Sequence, residues 1–300
     1  MRVLISGASG LIGQALRPVL IAAGHEPVAL VRRAAQANEV EWDPSRPLDP
    51  AKLAGCDAIV HLAGKNIAGY WTKKFKQEAR DSRVRGTQTL AEAAAESFRR
   101  TGQPGVFLSA SAIGYYGNRG DEVLTEESAA GAGYLADVSQ EWEAAAAAAR
   151  EAGLRVVNLR IGVVLAGNGG ALKPMLLPFK LGLGGRIGSG KQYWSWIALD
   201  DVVGAILFAL QDDRLKGPVN LTAPEPASNE QFVRALGEGL HRPTIFPLPA
   251  WVVSTLMGEM GDAALLGSAR VMPAKLQAAG YTFRYPTLET ALRAALHSKN

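Results

Sequence analysis

Short apolar segments alternate with longer amphipathic segments through the first half of the chain. The apolar segments have the length of buried strands, and those between them have the periodicity of helices. Because the strands are nearly continuous apolar runs, they predict a parallel sheet covered by helices on both faces. The predicted strands are residues 2–6, 27–31, 40–43, 56–64, 106–111 and 155–161. The predicted helices are residues 11–23, 73–101 and 135–152, with a short helix near 50–54.

The second half of the chain has a different pattern. Residues 167–190 are rich in glycine and contain Pro174 and Pro178, so we expect loops and short helices above a site. The later predicted elements are a strand at 194–197, a helix at 201–210, a strand at 219–221 and a largely helical region at 246–296.

These elements predict an α/β fold in two parts. A Rossmann doubly wound parallel sheet should form an NAD(P)-binding domain from residues 1–166, to which residues 194–222 return. Residues 167–193 and 223–300 should form a smaller, mostly helical C-terminal lobe that binds the substrate. The chain has 300 residues, 48% of them apolar and 20% charged, which suffices for two such units and excludes a disordered protein.

The first strand runs into a glycine-rich turn over residues 7–13. Glycines at such a turn let the backbone approach a pyrophosphate, and the following helix offers free N–H groups and the positive end of its dipole. The alternative is an ordinary tight turn, but a second strand at the βαβ distance favours a dinucleotide site. The residues predicted to contact the cofactor here are Gly7, Ser9, Gly10, Leu11, Ile12 and Gly13.

The residues after the second strand indicate which dinucleotide is bound. An acidic residue about 20 positions after the turn would hold the ribose 2′-hydroxyl of NAD, whereas arginine suits the 2′-phosphate of NADP. Arg32 and Arg33 stand there, and the next acidic residue is Glu39. Since a guanidinium pairs bidentately with phosphate and no carboxylate is expected beside it, we predict NADP as the cofactor. The alternative is a pair of solvated surface arginines.

Charge and cysteine content restrict the function classes further. The net charge of +4 is small, and the basic run at residues 73–85 also contains Glu78 and Asp81, so nucleic-acid binding is not expected. The single cysteine, Cys56, precludes an internal disulfide and fits a reducing compartment. The 4 histidines are scattered, so no metal site is expected. We expect no signal peptide and no membrane span, and therefore a cytoplasmic protein.

Ligands of doubly wound folds bind beyond the carboxyl ends of the strands. Besides the glycine turn, two predicted strands end in small residues, at 62–64 and at 109–111. The residues expected to line the nicotinamide and its ribose are Leu62, Ala63, Gly64 and Ser109. Ser111 would face the reacting carbon, although a serine at a strand end can equally be a plain turn residue.

Further motifs extend across nearly the whole chain. They are residues 111–117, Tyr134-Leu135-Ala136 with Trp142 and Glu143, residues 160–165, 182–190, 196–202 and 247–251, and Phe283-Arg284-Tyr285-Pro286. Together with the glycine turn they resemble an extended short-chain dehydrogenase/reductase, and more narrowly an atypical branch called the epimerase family. The resemblance implies a Rossmann fold, a bound dinucleotide and a characteristic C-terminal domain. Some bacterial members of the branch carry a cell-division-inhibitor label.

The active site that the resemblance implies contains a serine, a tyrosine and a lysine four residues after the tyrosine. Ser111 and Tyr134 fill the first two places, but Val138 stands at the lysine place. Without a nearby cation, a phenol with a pKa of about 10 is a poor base at neutral pH. Lys65 could supply the cation from another strand end, and Tyr115 is an alternative proton donor unless it serves only packing.

The loop at residues 184–193 resembles the loop that meets the nucleotide in extended members of the superfamily. Arg186 and Lys191 would then bind the diphosphate, or else they belong to an exposed basic loop. We therefore expect an NADP-dependent oxidoreductase or epimerase that acts on a small polar or nucleotide-sugar-like substrate. The alternative hypothesis is a non-catalytic dinucleotide-binding regulatory protein, which Val138 favours. The oligomeric state stays open.

Overall fold

The computed structural model describes residues 1–297, and a seven-stranded parallel sheet lies at its centre. The strands of the chain are β1 (Arg2–Ser6), β2 (Glu26–Val31), β3 (Glu39–Glu41), β4 (Ala58–His61), β5 (Val106–Ala112), β6 (Val123–Leu124), β7 (Arg155–Ile161), β8 (Val163–Ala166), β9 (Gly169–Gly170), β10 (Tyr193–Trp194), β11 (Trp196–Ala198), β12 (Gly217–Leu221), β13 (Ala227–Ser228) and β14 (Arg270–Val271). The central sheet has the order β3-β2-β1-β4-β5-β7-β12, with every neighbouring pair parallel. This order confirms the predicted doubly wound Rossmann fold.

Helices cover both faces of the central sheet. The α-helices are α1 (Leu11–Ala22), α2 (Lys73–Thr101), α3 (Tyr134–Ala144), α4 (Ala147–Glu151), α5 (Leu172–Lys180), α6 (Leu199–Gln211), α7 (Asn229–Leu240), α8 (Ala250–Gly261), α9 (Ala274–Ala279) and α10 (Leu288–His297). Shorter helical turns occupy Pro50–Leu53, Ile113–Tyr116 and Asp262–Leu266. No helix among residues 1–297 is both long and apolar enough to cross a membrane.

Alternating side chains of the strands form two separate layers of core. On one face, Ile5, Val60 and Leu108 pack with residues of α1 and α6. On the other face, Ile59 and Phe107 pack with the alanine-rich part of α2 and with α4. This alternation is the period of two that a strand imposes on its side chains, and burial on both faces explains why the strands contain so few polar residues.

The second half of the chain builds a further core beside the sheet. Its centre contains Trp194 and Trp196 together with Phe232 and Leu236 of α7 and Leu292 of α10. The strand β11 pairs in parallel with β8, and β10 pairs antiparallel with β13. The strand β12 then returns to the edge of the central sheet beside β7. The exact division of the chain into two lobes stays a prediction.

Several predicted elements differ in detail from the observed ones. The helix predicted over residues 135–152 is broken into α3 and α4, because Ala146 leaves the helical conformation where it is buried against the core beside α2. The strand predicted at 194–197 is two short strands that pair with different partners. The region 246–296 is only partly helical, since β14 and several loops interrupt it.

A buried carboxylate fastens the C-terminal segment to the start of α6. Asp201 accepts hydrogen bonds from the backbone N–H groups of Arg284 at 2.7 Å and Tyr285 at 2.9 Å, and from the Tyr281 hydroxyl at 3.3 Å. Burial raises the pKa of Asp201, and these hydrogen bonds act in the opposite direction and lower it. Asp201 therefore makes three side-chain hydrogen bonds to the segment that precedes α10.

We expect Asp201→Ala to lower the free energy of unfolding by roughly 2–4 kcal/mol, because it removes a buried carboxylate and leaves two partly buried N–H groups without a partner. The matched control is Asp200→Ala, which removes an exposed pair with Arg284 and a 3.5 Å hydrogen bond from the Tyr285 hydroxyl and should cost less than about 1 kcal/mol. Urea unfolding at pH 7 measures both changes. Equal costs for the two variants would contradict the role given to Asp201.

Candidate functional site

The glycine turn lies at the point where the strand order reverses, between β1 and β4. The helix α1 begins at Leu11 with Gly10 as its N-cap, and no side chain caps it. Its first turn also contains no acidic residue. The N–H groups at this end are therefore free to bind an anion, and the helix dipole favours one.

Two glycines allow the turn to sit directly against the end of β4. Gly7 has a φ of +70°, and a Cβ atom there would lie 2.8 Å from the carbonyl carbon of Leu62. A Cβ atom at Gly13 would collide with the Gly7 carbonyl oxygen, to which the Gly10 N–H donates at 2.9 Å. The segments predicted to bind the pyrophosphate and the ribose are thus in contact, and glycine is required at both positions.

A buried pair of polar side chains joins the same two segments. Ser6 Oγ lies 2.6 Å from Nδ1 of His61 and accepts hydrogen bonds from the N–H groups of Leu62 at 3.1 Å and Ala63 at 3.2 Å. Since the oxygen accepts two bonds, its own proton is available for Nδ1. Burial lowers the pKa of His61 to about 4, so the imidazole is neutral at physiological pH. The pair therefore fixes the end of β4 relative to β1.

The two arginines that were predicted to bind a 2′-phosphate have different surroundings in the structure. Arg33 donates two hydrogen bonds of 2.7 Å to the carboxylate of Glu39, which also accepts from the Gln36 N–H. The expectation that no carboxylate stands beside these arginines is wrong, because the turn before β3 brings Glu39 back to Arg33. The exposed guanidinium of Arg32 has no hydrogen-bond partner within residues 1–297 and is the one free for a phosphate.

Ser111 belongs to a buried charged network that the sequence did not predict. Its hydroxyl donates to Oε1 of Glu143 at 2.8 Å, and Arg160 donates to both oxygens of the same carboxylate at 2.7 and 2.9 Å. Burial lowers the pKa of Arg160, but the hydrogen bonds and charge of Glu143 outweigh it, so the pKa lies above its ordinary value. The pair stays ionised, and the Ser111 proton is already engaged.

Two tyrosines contact the guanidinium of Arg160. The ring of Tyr115 lies over it, with the guanidinium carbon 3.4 Å from the ring centroid. The Tyr116 hydroxyl accepts from Arg160 at 2.9 Å and donates to Oδ1 of Asn220 at 2.7 Å, and burial raises the pKa of Tyr116 to about 12. The hydroxyl of the half-buried Tyr115, by contrast, has no hydrogen-bond partner in the described part of the chain. It is available to a substrate.

Tyr134 is less suited to proton transfer than the resemblance implies. Its hydroxyl donates to the backbone carbonyl of Lys76 at 2.8 Å, and its ring packs against Trp71. Burial raises the pKa of Tyr134, and Val138 at the lysine place is itself buried. No hydrogen bond of residues 1–297 joins Tyr134 to Ser111 or Tyr115, so the three predicted catalytic residues fall into two groups.

Other predicted site residues have varied surroundings. Lys65 pairs with Glu78 and lies 4.6 Å from the centroid of the Phe75 ring, so its charge is already compensated. Ser109 is buried, with its hydroxyl 3.3 Å from the carbonyl oxygen of Ala110. The side chains of Arg186 and Lys191 are exposed and make no hydrogen bond or ion pair within the described residues.

Sequence reasoning used Glu143 and Arg160 only as markers of a resemblance and gave them no role. Arg160 lies near the end of the strand Arg155–Ile161 at a position that the parallel sheet predicts to be buried, and this was the signal that could have identified it. An arginine in a buried strand needs a carboxylate or several acceptors. The partner could not be identified from the pattern, because Glu143 lies on a different element.

The chain is similar to proteins of one family. The model of the NAD dependent epimerase/dehydratase family matches residues 3–221, and a domain of unknown function (DUF1731) matches residues 248–295. An epimerase family protein of Mycobacterium bovis is 45% identical over 97% of this chain and 96% of that protein. A human epimerase family protein is 38% identical over 98% of this chain and 99% of that protein.

Two solved structures extend the similarity. The crystal structure of a human epimerase family protein with NADPH is 35% identical, has a TM-score of 0.91 and covers 100% of both chains. The structure of a nucleoside-diphosphate sugar epimerase from Corynebacterium glutamicum is 38% identical with a TM-score of 0.81. It covers 99% of this chain and 58% of that chain.

We expect the buried His61 to make the fold acid-sensitive. Its pKa is about 4 in the folded protein against 6.5 as the ordinary value, so protons bind more tightly to the unfolded chain. Stability is therefore present above pH 6.5 and falls between pH 6.5 and 4, by about 3 kcal/mol for this residue. In His61→Asn, which does not titrate, urea unfolding should show a pH dependence that is smaller by this amount. Parallel pH profiles for the two proteins would rule the effect out.

Proposed function

The chain belongs to the NAD dependent epimerase/dehydratase family, and from this membership we propose that it is an NADP-dependent oxidoreductase or epimerase. The substrate class that fits best is a small polar or nucleotide-linked molecule. The single observation that carries the proposal is the glycine turn at the switch point of the sheet, where Gly7 packs against the backbone of Leu62 just after β4 and the N-terminus of α1 has no side-chain cap.

The residues around this turn fit a dinucleotide. Side chains at Gly7 and Gly13 would collide with the backbone of Leu62 and of Gly7, so glycine keeps the turn tight, and the free N–H groups of α1 would bind the oxygens of a pyrophosphate. Arg32 offers an unpaired guanidinium for a 2′-phosphate after β2. The human relative crystallised with NADPH supports the same choice of cofactor.

The proposed reaction uses Tyr115 as the proton-transfer group. NADP supplies hydride transfer at its nicotinamide when it is bound. Tyr115 has a hydroxyl without a partner among the described residues, and its ring lies over the guanidinium of Arg160, which holds the ring in place. Glu143 and Ser111 keep Arg160 in place, and Ser111 can still accept a hydrogen bond from a substrate hydroxyl. Tyr134 is not assigned the proton transfer, since its hydroxyl donates a hydrogen bond to the backbone carbonyl of Lys76.

The exposed basic loop supports a nucleotide-linked substrate. Arg186 and Lys191 carry charges that no acidic side chain within residues 1–297 compensates, which suits a diphosphate. The relative from Corynebacterium glutamicum is described as a nucleoside-diphosphate sugar epimerase, which agrees with this substrate class.

A second candidate is a dinucleotide-binding regulatory protein without turnover. The observation that favours it is Val138, which is buried where a catalytic lysine would stand. In addition, the Tyr134 hydroxyl donates its hydrogen bond to the backbone carbonyl of Lys76. Both candidates require the cofactor, so only the measurement of turnover separates them.

We expect the purified protein to bind NADPH more tightly than NADH in a fluorescence titration. Arg32→Ala should weaken NADPH binding about 10- to 100-fold, because it removes a charged hydrogen bond worth roughly 1.5–3 kcal/mol, and should leave NADH binding unchanged. The matched control is Arg46→Ala, which alters an exposed arginine paired only with Asp43. Equal affinity of the wild-type protein for NADPH and NADH would contradict the assignment of NADP as the cofactor.

Turnover should be measured with NADP(H) against a panel of nucleotide sugars and small carbonyl compounds. We expect Tyr115→Phe to lower kcat/KM at least about 100-fold, since it removes the proton-transfer group, and Tyr134→Phe to have a much smaller effect. A larger loss in Tyr134→Phe would reverse the assignment of the two tyrosines. No turnover with any member of the panel, despite tight NADPH binding, would favour the regulatory candidate.

A further inference from the structure

The helix α8 reaches from the second half of the chain to the loop that follows β4. Near the end of α8, Glu259 accepts two hydrogen bonds of 2.9 Å from the side chain of Lys76, which lies in the first turn of α2. A Cβ atom at Gly258 would stand 3.9 Å from the hydroxyl oxygen of Tyr70. Within residues 1–297, no other hydrogen bond or ion pair joins α8 to residues 1–166.

The chain on either side of this contact is anchored in the core of the second half. Val253, at the start of α8, is buried in that core. Beyond α8, the carbonyl oxygen of Leu265 accepts a hydrogen bond of 3.3 Å from Trp194 Nε1. Between these anchors the helix is broken at Gly258, which has a φ of +56° and a ψ of −146°. Since glycine has no Cβ atom, its backbone can leave this conformation at little cost, and α8 can pivot there.

The contact lies beside the proposed nicotinamide end of the site. The Lys76 ammonium is 4.8 Å from the centroid of the Tyr134 ring, against which Trp71 also packs. Burial raises the pKa of Tyr134, and the negative charge of Glu259 adds to this rise, so the end of α8 lies close to the phenol. Trp71 belongs to the loop that begins with residues 62–64, which are expected to line the nicotinamide ribose.

The contact is of a kind that opens readily. The side chain of Lys76 is 28% exposed and that of Glu259 is 50% exposed, so water solvates both charges. Exposed ion pairs are weak, and salt weakens them further. Little apolar packing holds the end of α8 in addition, because Leu256 and Tyr70 remain 71% and 68% exposed. Closure at this point is therefore reversible and sensitive to salt.

We propose that Gly258 and Glu259 of α8 form a latch with Tyr70 and Lys76 over the nicotinamide end of the site. When the Lys76–Glu259 pair is formed, α8 and the loop after β4 close the cleft. When the pair breaks, α8 pivots at Gly258, and cofactor and substrate exchange with solvent. Segments that close over an active site often limit the release of bound ligands. This inference rests on the proposed binding of NADP, and it adds a control of ligand exchange to that function.

The test measures how fast bound NADPH dissociates, by stopped-flow fluorescence after a chase with excess NADP⁺. Glu259→Gln removes one charge of the latch and should speed dissociation about 2- to 5-fold at low salt. High salt should abolish this difference from the wild type. Glu259→Lys, which repels Lys76, should speed dissociation further. The double variant Lys76→Glu/Glu259→Lys restores a pair of opposite charges and should return the rate to within about twofold of the wild type.

A cross-link tests the latch in the opposite direction. Lys76→Cys/Glu259→Cys, joined by a short bismaleimide, should hold the latch closed and slow NADPH dissociation at least about 10-fold. The native Cys56 is buried and should not react. The matched control for the charge variants is Glu238→Gln, which neutralises an exposed glutamate without a side-chain partner in the described part of the chain and should change nothing.

The latch and the proposed function fail in different ways. Wild-type dissociation rates in Glu259→Gln, in Glu259→Lys and in the cross-linked protein, with NADPH still bound tightly, would overturn the latch. A wild-type protein that binds no NADPH would instead refute the proposed function itself.

Discussion

The close contact between the glycine turn and the end of β4 is the constraint on which the candidate site depends. Gly7 leaves no room for a side chain beside Leu62, and the buried Ser6 and His61 hold the two strand ends together. The free end of α1 and the backbone of residues 62–64 therefore form one continuous surface. In the proposed binding mode, a dinucleotide with its diphosphate at the helix end would extend along the end of β4 across this contact.

A second constraint is the buried ion pair beside strands β5 and β7. The buried pair of Arg160 and Glu143 spans β7 and α3, and both Ser111 and Tyr115 contact it. A buried ion pair is costly to break when one partner is removed, so Arg160 and Glu143 restrain the side chains that contact them. Arg160, over which the Tyr115 ring lies, is the register partner of Ser111 in β5, which is itself the neighbour of β4. The proposed chemistry thus adjoins the proposed cofactor surface.

The sequence predicted the framework better than it predicted the site. The bounds of α2 and β7 agree with the predicted 73–101 and 155–161, because apolar periodicity and strong helix formers define them locally. The pairings Arg33–Glu39 and Arg160–Glu143 could not be foreseen, since each depends on a turn or a packing contact that brings separate elements together. The break between α3 and α4 has the same origin. Nothing in the alanine run at residues 144–149 forbids a helix, and the break at Ala146 lies where this run packs against α2.

The most direct test of this account is a crystal structure of the protein with NADPH. The account predicts the diphosphate within hydrogen-bond distance of the first N–H groups of α1, and the 2′-phosphate beside Arg32. It also predicts the nicotinamide ribose against residues 62–64. NADPH bound with its diphosphate away from α1, or with its nicotinamide half away from the end of β4, would contradict the central claim.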